Sequence, residues 1–257
     1  MTYCVGFLLD EGLVFTSDTR TNAGVDYISS YSKMHIFQPA HDRLFVLLTA
    51  GNLATAQAVM NRIQRDIEES QQRGEHHRPS NGGPDLLTAN YLFEAVDYVG
   101  RLNVQVQKEH AGSLQQVGSS AEASFILGGQ IAGQPHGLYL IYAQGNAIMA
   151  TKETPFLQIG ESKYGKPPLD YIGHSGLSLE DAARLSLVSE IVTRRSNLTV
   201  GPPFEIAMVR ADALEVTRRL KLEKDAPEIT RTMEVWTRNM QEGLNRLPRF
   251  AWEQDPL

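Results

Sequence analysis

The feature that most limits the fold of this chain is a set of segments with apolar side chains at nearly every position. Segment 43–49, RLFVLLT, is too apolar for either face of an extended strand to meet water. Tyr3–Leu9 and Ala123–Gln130 have the same character. Strands buried on both faces need a covering layer on each side. We therefore expect sheets that lie inside the protein, with other elements packed outside them.

Helical periodicity indicates what those outer layers are. Apolar residues recur at three- and four-residue spacing in Leu53–Gln71 and in Leu86–Glu109, which predicts two long antiparallel helices over one sheet. Segment 177–196, LSLEDAARLSLVSEIVTRRS, predicts a third strong helix with Ser178 as its N-cap. A last amphipathic helix is expected at about 229–246.

The order of strands, two helices, strands, helices and strands predicts an α+β fold. The expected architecture is a four-layer αββα sandwich, in which two packed, mostly antiparallel sheets carry helices on both outer faces. No internal repeat or low-complexity linker divides the sequence. We therefore expect a single domain over 1–257.

The composition argues against several partners and compartments. The formal net charge is −6, and the 24 Lys and Arg residues are scattered, which argues against a nucleic-acid surface. No stretch approaches the roughly eighteen apolar residues of a membrane span, and no basic segment followed by an apolar one predicts a secretory leader. The single cysteine, Cys4, excludes an internal disulfide and is typical of the reducing cytoplasm, where we expect the protein.

No cofactor and no metal is predicted. Segment 160–167, GESKYGKP, nearly matches a phosphate-binding loop, but Pro167 lacks the hydroxyl and the N–H that this position needs. The histidines lack the spacing of zinc ligands. The adjacent pair His76 and His77 is interpreted as part of a solvated polar loop.

The start of the chain carries residues suited to a different chemistry. After removal of Met1, Thr2 holds both a hydroxyl, which is a weak nucleophile until activated, and an α-amine. The ordinary pKa of that amine, roughly 7.7–8.0, lets it accept a proton near neutral pH. A nearby cation lowers this pKa further, and Lys33 held by Asp18 is the candidate. The backbone N–H of Gly51, at a strand end, is the candidate oxyanion donor.

A hairpin is expected to bring Asp18 close to Thr2. With the loop formed by residues 10–12, DEG, Leu9 faces Leu13, and Asp18 lies diagonal to Thr2 on the same face of the sheet. A loop shorter by one residue would turn Asp18 to the opposite face. Taken one at a time, these residues also have ordinary structural explanations, such as a turn cap or a surface lysine.

Taken together, five stretches resemble one family: TYCVGFLLDEGLVFTSDTRTNAGV, SKMHIF, LLTAGN, FLQIG and RRSNLTVGPPFEI. They span most of the chain and are similar to the proteasome β-subunit family of N-terminal nucleophile hydrolases, which includes the bacterial HslV peptidase. Within that family, the resemblance is nearest to the bacterial branch called Anbu. It implies a threonine-type peptidase or amidohydrolase acting on a peptide or another amide.

The resemblance also implies a role for each matching residue. By this resemblance Thr2 is the nucleophile, Asp18 and Lys33 orient it, and the backbone of Gly51 is the oxyanion donor. Arg20 matches a structural arginine behind the site. Thr21 and Thr49 match residues that line the pocket for the substrate residue before the cut.

Three auxiliary positions depart from the family pattern. Glu161 stands where relatives carry a serine that bonds the terminal amine, and Ser196 and Thr199 stand where relatives carry Asp and Ser. Lys33 is one residue closer to the nucleophile than is usual. The departures leave two alternatives open: a catalytically impaired subunit that builds rings, or an amidase or transferase specific for one small amide.

The resemblance further implies a large homo-oligomer with inward-facing sites. Subunit number and the need for a partner ATPase are left open, since no docking segment is recognisable in the sequence.

Overall fold

The computed structural model describes residues 1–22, 28–73, 83–116 and 118–253. The strands are β1 (Tyr3–Leu9), β2 (Gly12–Asp18), β3 (Arg20–Asn22), β4 (Ile28–Ser30), β5 (Met34–Ala40), β6 (Arg43–Gly51), β7 (Ala123–Ile131), β8 (Gly137–Ile141), β9 (Ala147–Met149), β10 (Phe156–Gly160), β11 (Phe204–Arg210) and β12 (Arg218–Leu222). The helices are α1 (Leu53–Arg73), α2 (Leu92–Gln115), α3 (Ser162–Ile172), α4 (Leu179–Ser196) and α5 (Pro227–Asn245), followed by a 3-10 turn at Ala251–Glu253.

Two five-stranded antiparallel sheets form the centre of the protein. The first has the strand order β10-β1-β2-β11-β12, and the second has the order β5-β6-β7-β8-β9. A two-stranded ribbon of β3 and β4 lies apart from both sheets. The expected antiparallel pairing is therefore confirmed.

Three apolar cores separate the layers and confirm the four-layer αββα architecture. Under α1 and α2, against the second sheet, lie Phe45, Val59 and Val99 among others. Between the two sheets lie Phe15, Val46 and Ile126 among others. Between the first sheet and helices α3 and α4 lie Phe7, Val14 and Leu187 among others. Both faces of each sheet are buried, as the apolar strands require.

The second long helix begins later than its periodicity predicts. It was expected from Leu86 but starts at Leu92, because the carboxylate of Asp85 accepts hydrogen bonds from the next backbone N–H groups and holds a turn there. The side chain of Glu94 then accepts from two N–H groups ahead of the helix and caps it. The polar loop with His76 and His77 lies outside the described residues.

The first hairpin has a shorter loop than expected, so the predicted register is wrong by one residue. Its loop is only Asp10-Glu11, and Leu9 pairs with Gly12 instead of facing Leu13. Gly12 has φ +143°, and a Cβ there would overlap the carbonyl oxygen of Val209 on β11. The glycine is therefore a close-packed strand residue and not the last residue of the loop.

The C-terminal part of the chain follows the predicted pattern. Ser178 caps α4 by accepting a hydrogen bond from the N–H of Asp181 at 3.1 Å. Helix α5 packs on α4 through Ile229, and most of its other side chains are exposed. Within the described ranges, no helix combines the length and apolar composition that a membrane crossing requires.

Candidate active site

Most of the residues predicted for the site line one cavity of about 500 Å³. Its wall comprises Met1, Thr2, Thr21, Lys33, Thr49, Ala50, Gly51, Leu53, Ala56, Gly160 and Glu161. These residues come from the ends of several strands and from the start of α1. A second cavity of about 660 Å³ adjoins it and shares Ala50, Gly51 and Gly160. The fold thus gathers sequence positions as distant as Thr2 and Glu161 around one space.

A buried ion pair joins Lys33 to Asp18. The Nζ of Lys33 lies 2.6 Å from Oδ1 of Asp18, and both side chains are almost fully buried. The same ammonium donates to the carbonyl of Arg20 at 2.7 Å. Asp18 also accepts from the N–H groups of Tyr3 at 3.1 Å and Gly201 at 3.2 Å. Charge-assisted bonds of this kind stabilise an ionised carboxylate.

The prediction that Asp18 shares a sheet face with Thr2 is wrong, because Cys4 pairs with Ser17 and the register places Asp18 opposite Tyr3. Asp18 is the last residue of β2, and its side chain still reaches Lys33. Lys33 extends to it from the segment that leads into β5. Burial raises the pKa of Asp18, while Lys33 and the hydrogen bonds from Tyr3 and Gly201 oppose that shift.

Two contacts fix the backbone around Lys33. The N–H of Thr49 on β6 donates to the carbonyl of Lys33 at 3.0 Å. The hydroxyl of the preceding Ser32 donates to Oε2 of the buried Glu205 at 2.5 Å. The ammonium is therefore carried by a segment attached to both sheets.

The N-terminal amine lies within the field of this pair. In the full chain the amine belongs to Met1, and burial, followed by the charge of Lys33, lowers its pKa. The carboxylates of Asp18 and Glu161 act in the opposite direction. The carbonyl of Thr2 accepts from the N–H of Glu161 at 2.8 Å, which fixes the start of the chain against the end of β10.

Gly51 occupies a position that only glycine can take. It ends β6 with φ +104°, and a Cβ there would overlap the carbonyl oxygen of Glu122. Helix α1 begins at Leu53, and Asn52 caps it by accepting from the N–H of Thr55 at 3.1 Å. Gly51 therefore places its backbone in both cavities at the positive end of a helix dipole.

The auxiliary residues occupy three different settings. Glu161 lines the cavity with its side chain 10% exposed, and its Oε2 lies 3.9 Å from the ammonium of Lys163. Ser196 ends α4, and the hydroxyl of Thr199 donates to the side chain of Asn197 at 2.6 Å. Ser196 and Thr199 are not among the residues that line the 500 Å³ cavity, so their auxiliary roles stay predictions.

Arg20 links the two sides of the loop that follows α4. Its guanidinium donates to the carbonyl of Leu198 at 2.6 Å. It also packs on Gly201, where a Cβ would lie 2.8 Å from Cζ of the arginine. Because Gly201 in turn bonds Asp18, the arginine supports the carboxylate of the site through the backbone.

Sequence reasoning missed two buried glutamates near this site. Glu205 lies on β11 and bonds Ser32, and Glu190 lies on α4 with no exposed surface. Each sits within a run of apolar residues, in FEIAMVR and LSLVSEIV. An acidic residue in such a run is the available signal, but an amphipathic helix carries the same pattern on its exposed face. Within the described part of the chain, no group of acidic, histidine or cysteine side chains is arranged to hold a metal ion.

Two packed antiparallel sheets between helical layers, with Thr2 and the ion-paired Lys33 lining one cavity, are typical of the proteasome-type class of N-terminal nucleophile folds. The chain is similar over nearly its whole length to solved structures of Anbu proteins, one of which is described as an ancestral β-subunit. It belongs to the Anbu family, the proteasome-like branch that its sequence resembles.

Three solved structures illustrate this similarity. The Anbu complex of Pseudomonas aeruginosa, solved as a helical assembly, is 40% identical, with a TM-score of 0.87 and coverage of 98% of this chain and 100% of that one. A (Gly-1) mutant of Anbu from Hyphomicrobium sp. strain MC1 is 37% identical, with a TM-score of 0.86 and coverage of 97% and 99%. Anbu from Yersinia bercovieri is 35% identical, with a TM-score of 0.85 and coverage of 96% and 99%. No protein-family model and no curated protein matches the chain.

Proposed function

We propose that this protein is a threonine-type peptidase or amidohydrolase, with Thr2 as nucleophile once Met1 has been removed. The observation that carries the proposal is the shared cavity, in which Thr2 lies with Lys33, the partner of Asp18, and with Gly51. The Anbu relatives support a proteasome-type fold for such a site. The activity itself is our inference from the geometry.

In the proposed reaction, the hydroxyl of Thr2 attacks the carbonyl carbon of an amide. The α-amine of Thr2 takes the hydroxyl proton. In the full chain, burial and then the charge of Lys33 lower the pKa of the Met1 amine, and we expect both to act on the Thr2 amine in the same direction once Met1 is removed. The N–H of Gly51 donates to the oxyanion of the tetrahedral intermediate. The amine then gives its proton to the departing nitrogen, the C–N bond breaks, and water hydrolyses the resulting ester.

The geometry also leads us to propose how the substrate is held. Thr21 and Thr49 line the same cavity as Thr2, next to the apolar side chains of Leu53 and Ala56. This part of the cavity would take the substrate residue before the cut. The adjoining 660 Å³ cavity has a mixed lining, with polar side chains such as Asn52 and Gln158 beside the apolar Leu140 and Ile159.

A direct test is the reaction of the purified protein with a peptide epoxyketone, which needs a hydroxyl and an amine on the same residue. We expect one label per chain, located by mass spectrometry on a Thr2 that has lost Met1. Molecules that retain Met1 in the same preparation are the internal control and should stay unlabelled, because their amine is not on Thr2. A chain that has lost Met1 and yet stays unmodified would contradict the proposal.

The carboxylate of Glu161 gives the reaction a specific pH dependence. Its negative charge raises the pKa of the Met1 amine in the full chain, and we expect it to act on the Thr2 amine in the same direction, so that Glu161→Gln should lower the pKa of that amine. The free amine is then present at lower pH, and the rise of the labelling rate with pH should move to lower pH. Glu122→Gln, in the neighbouring cavity only, is the matched control and should move the profile less. A shift of the Glu161→Gln profile to higher pH would contradict this role.

A further inference from the structure

Glu190 is a buried carboxyl that the proposed reaction does not use. Its side chain has no exposed surface, and neither of its oxygens has a hydrogen-bond partner among the described residues. Buried polar atoms are almost always paired with protein or with ordered water. A carboxyl with two unpaired oxygens at 0% exposure therefore needs a physical explanation.

Two more unpaired polar atoms belong to the same layer. Ser186 precedes Glu190 by one helical turn on α4, and its hydroxyl is buried and unpaired in the described part of the protein. The hydroxyl of Thr16 on β2 is also buried and has no hydrogen-bond partner among the described residues. Side chains alternate along a strand, so Thr16 shares the face of Val14, which packs with Leu187 of α4. We call Thr16, Ser186 and Glu190 the Glu190 cluster.

The groups that face Glu190 disfavour a negative charge on it. Burial, and then the charge of Asp18, raise the pKa of Glu190 well above its ordinary value, and only Lys33 acts against this. Tyr3 and Cys4 on β1 are the other titratable groups within its field, and burial raises the pKa of each. No cation is bonded to Glu190 in the described ranges, since Lys33 bonds Asp18 and the carbonyl of Arg20.

We propose that Glu190 is a neutral carboxylic acid at neutral pH, joined through buried water to Thr16 and Ser186. A buried water makes about three hydrogen bonds, and this cluster offers one acid O–H and two hydroxyls to satisfy it. As a neutral group, Glu190 adds no second negative charge beside the Asp18–Lys33 pair.

Infrared spectroscopy tests the protonation state directly. The difference spectrum between wild type and Glu190→Gln at neutral pH should contain the C=O band of one carboxylic acid. Glu205→Gln is the matched control: Glu205 is also buried, but it bonds Ser32 and lies 3.3 Å from Arg219, so its difference spectrum should contain carboxylate bands. Carboxylate bands in the Glu190→Gln difference would overturn the proposal.

A titration of the wild-type protein guards against a variant that fails to fold. With glutamate carboxyl carbons labelled for NMR, one buried resonance should stay at the protonated position through neutral pH. A spectrum in which all glutamate resonances have reached the ionised position by neutral pH would overturn the proposal without any substitution.

Thermal unfolding gives a further test, because a neutral Glu190 determines the direction in which the Tm difference between variant and wild type changes with pH. In the folded protein Glu190 holds its proton above the ordinary pKa of glutamate, whereas in the unfolded chain it loses it. The folded state then binds more protons, so this group lowers stability as pH rises from the ordinary pKa of glutamate to the raised value. Glu190→Gln removes that loss, and its Tm relative to wild type should increase with pH over this window. A Tm difference that decreases with pH would contradict a neutral Glu190.

The effect on the site rests on the proposed function and has its own readout. A neutral glutamic acid and a glutamine carry the same charge, so around neutral pH the labelling rate of Glu190→Gln should depend on pH as that of wild type does. A Glu190→Gln profile displaced to lower pH would show that wild-type Glu190 carries a negative charge there, and would overturn the proposal. If wild type is not labelled at all, the proposed function fails, while the infrared and unfolding results still decide the state of Glu190.

Discussion

Replacing Lys33 with methionine is expected to lower the rate of Thr2 labelling at neutral pH, because more of the α-amine that serves as base is then protonated. The upper bound of the loss is the whole contribution of a positioned general base, about 10²–10⁴-fold. In the full chain, burial and then the charge of Lys33 lower the pKa of the Met1 amine, and we expect the Thr2 amine to lose the second of these effects when the ammonium is removed. The residual labelling should therefore appear only at higher pH than in wild type. The labelling rate measured across a pH series gives both the loss and the direction of the shift.

The same substitution is expected to destabilise the fold by about 3–5 kcal/mol, because it leaves the carboxylate of Asp18 buried without its cation. Adding Asp18→Asn removes the unpaired charge, so the double variant should regain stability without regaining labelling. Denaturant unfolding measures the stabilities, and the comparison separates the fold from the chemistry.

The chain offers a matched control for this ion pair. The Nζ of Lys152 lies 2.7 Å from Oδ1 of Asp10, nearly the distance between Lys33 and Asp18. The side chains of Lys152 and Asp10 are, however, both largely exposed. Solvent screens such a pair, so Lys152→Met should change neither stability nor labelling appreciably. Equal effects of Lys33→Met and Lys152→Met would show that the buried pair has no special role.

The elements that could be predicted from the sequence are those determined by local pattern. The apolar run at 43–49 predicted a strand buried on both faces, which the structure has as β6, and Ser178 marked the start of α4. The resemblance selected residues that do line one cavity, including Thr2, Lys33 and Glu161. Their roles in chemistry stay predictions.

The elements that could not be predicted depend on partners distant in sequence. The hairpin register is set where Gly12 meets the backbone of Val209, and no pattern within the hairpin reveals that strand. Helix α2 begins later than predicted because a turn forms around Asp85, in a segment whose apolar spacing is nevertheless typical of a helix. The burial of Glu190 depends on the packing of α4 over β2, since a helical glutamate looks the same whether it faces a sheet or water.

Replacing Thr2 with alanine is expected to produce the largest effect of all, because it removes the nucleophile and leaves the rest of the cavity in place. Loss of a serine nucleophile costs a hydrolase on the order of 10⁶-fold in kcat, and we expect a loss of labelling and of amide hydrolysis on that scale. Thr2→Ser is the matched control, because it keeps both the hydroxyl and the amine. It should retain labelling.

The two alternatives to a peptidase give different patterns in the same experiment. A subunit that only builds an assembly would show neither labelling nor turnover in wild type, and Thr2→Ala would leave its sedimentation unchanged. An amidase or transferase for one small amide would label at Thr2 in wild type but turn over none of a panel of short peptides. If the protein is a peptidase, wild type and Thr2→Ser should both be labelled and should both cleave peptides. Thr2→Ala should sediment as wild type does, but it should be neither labelled nor able to cleave peptides. Cleavage of peptides by purified Thr2→Ala at the wild-type rate would place the chemistry on another residue and overturn the proposed role of Thr2.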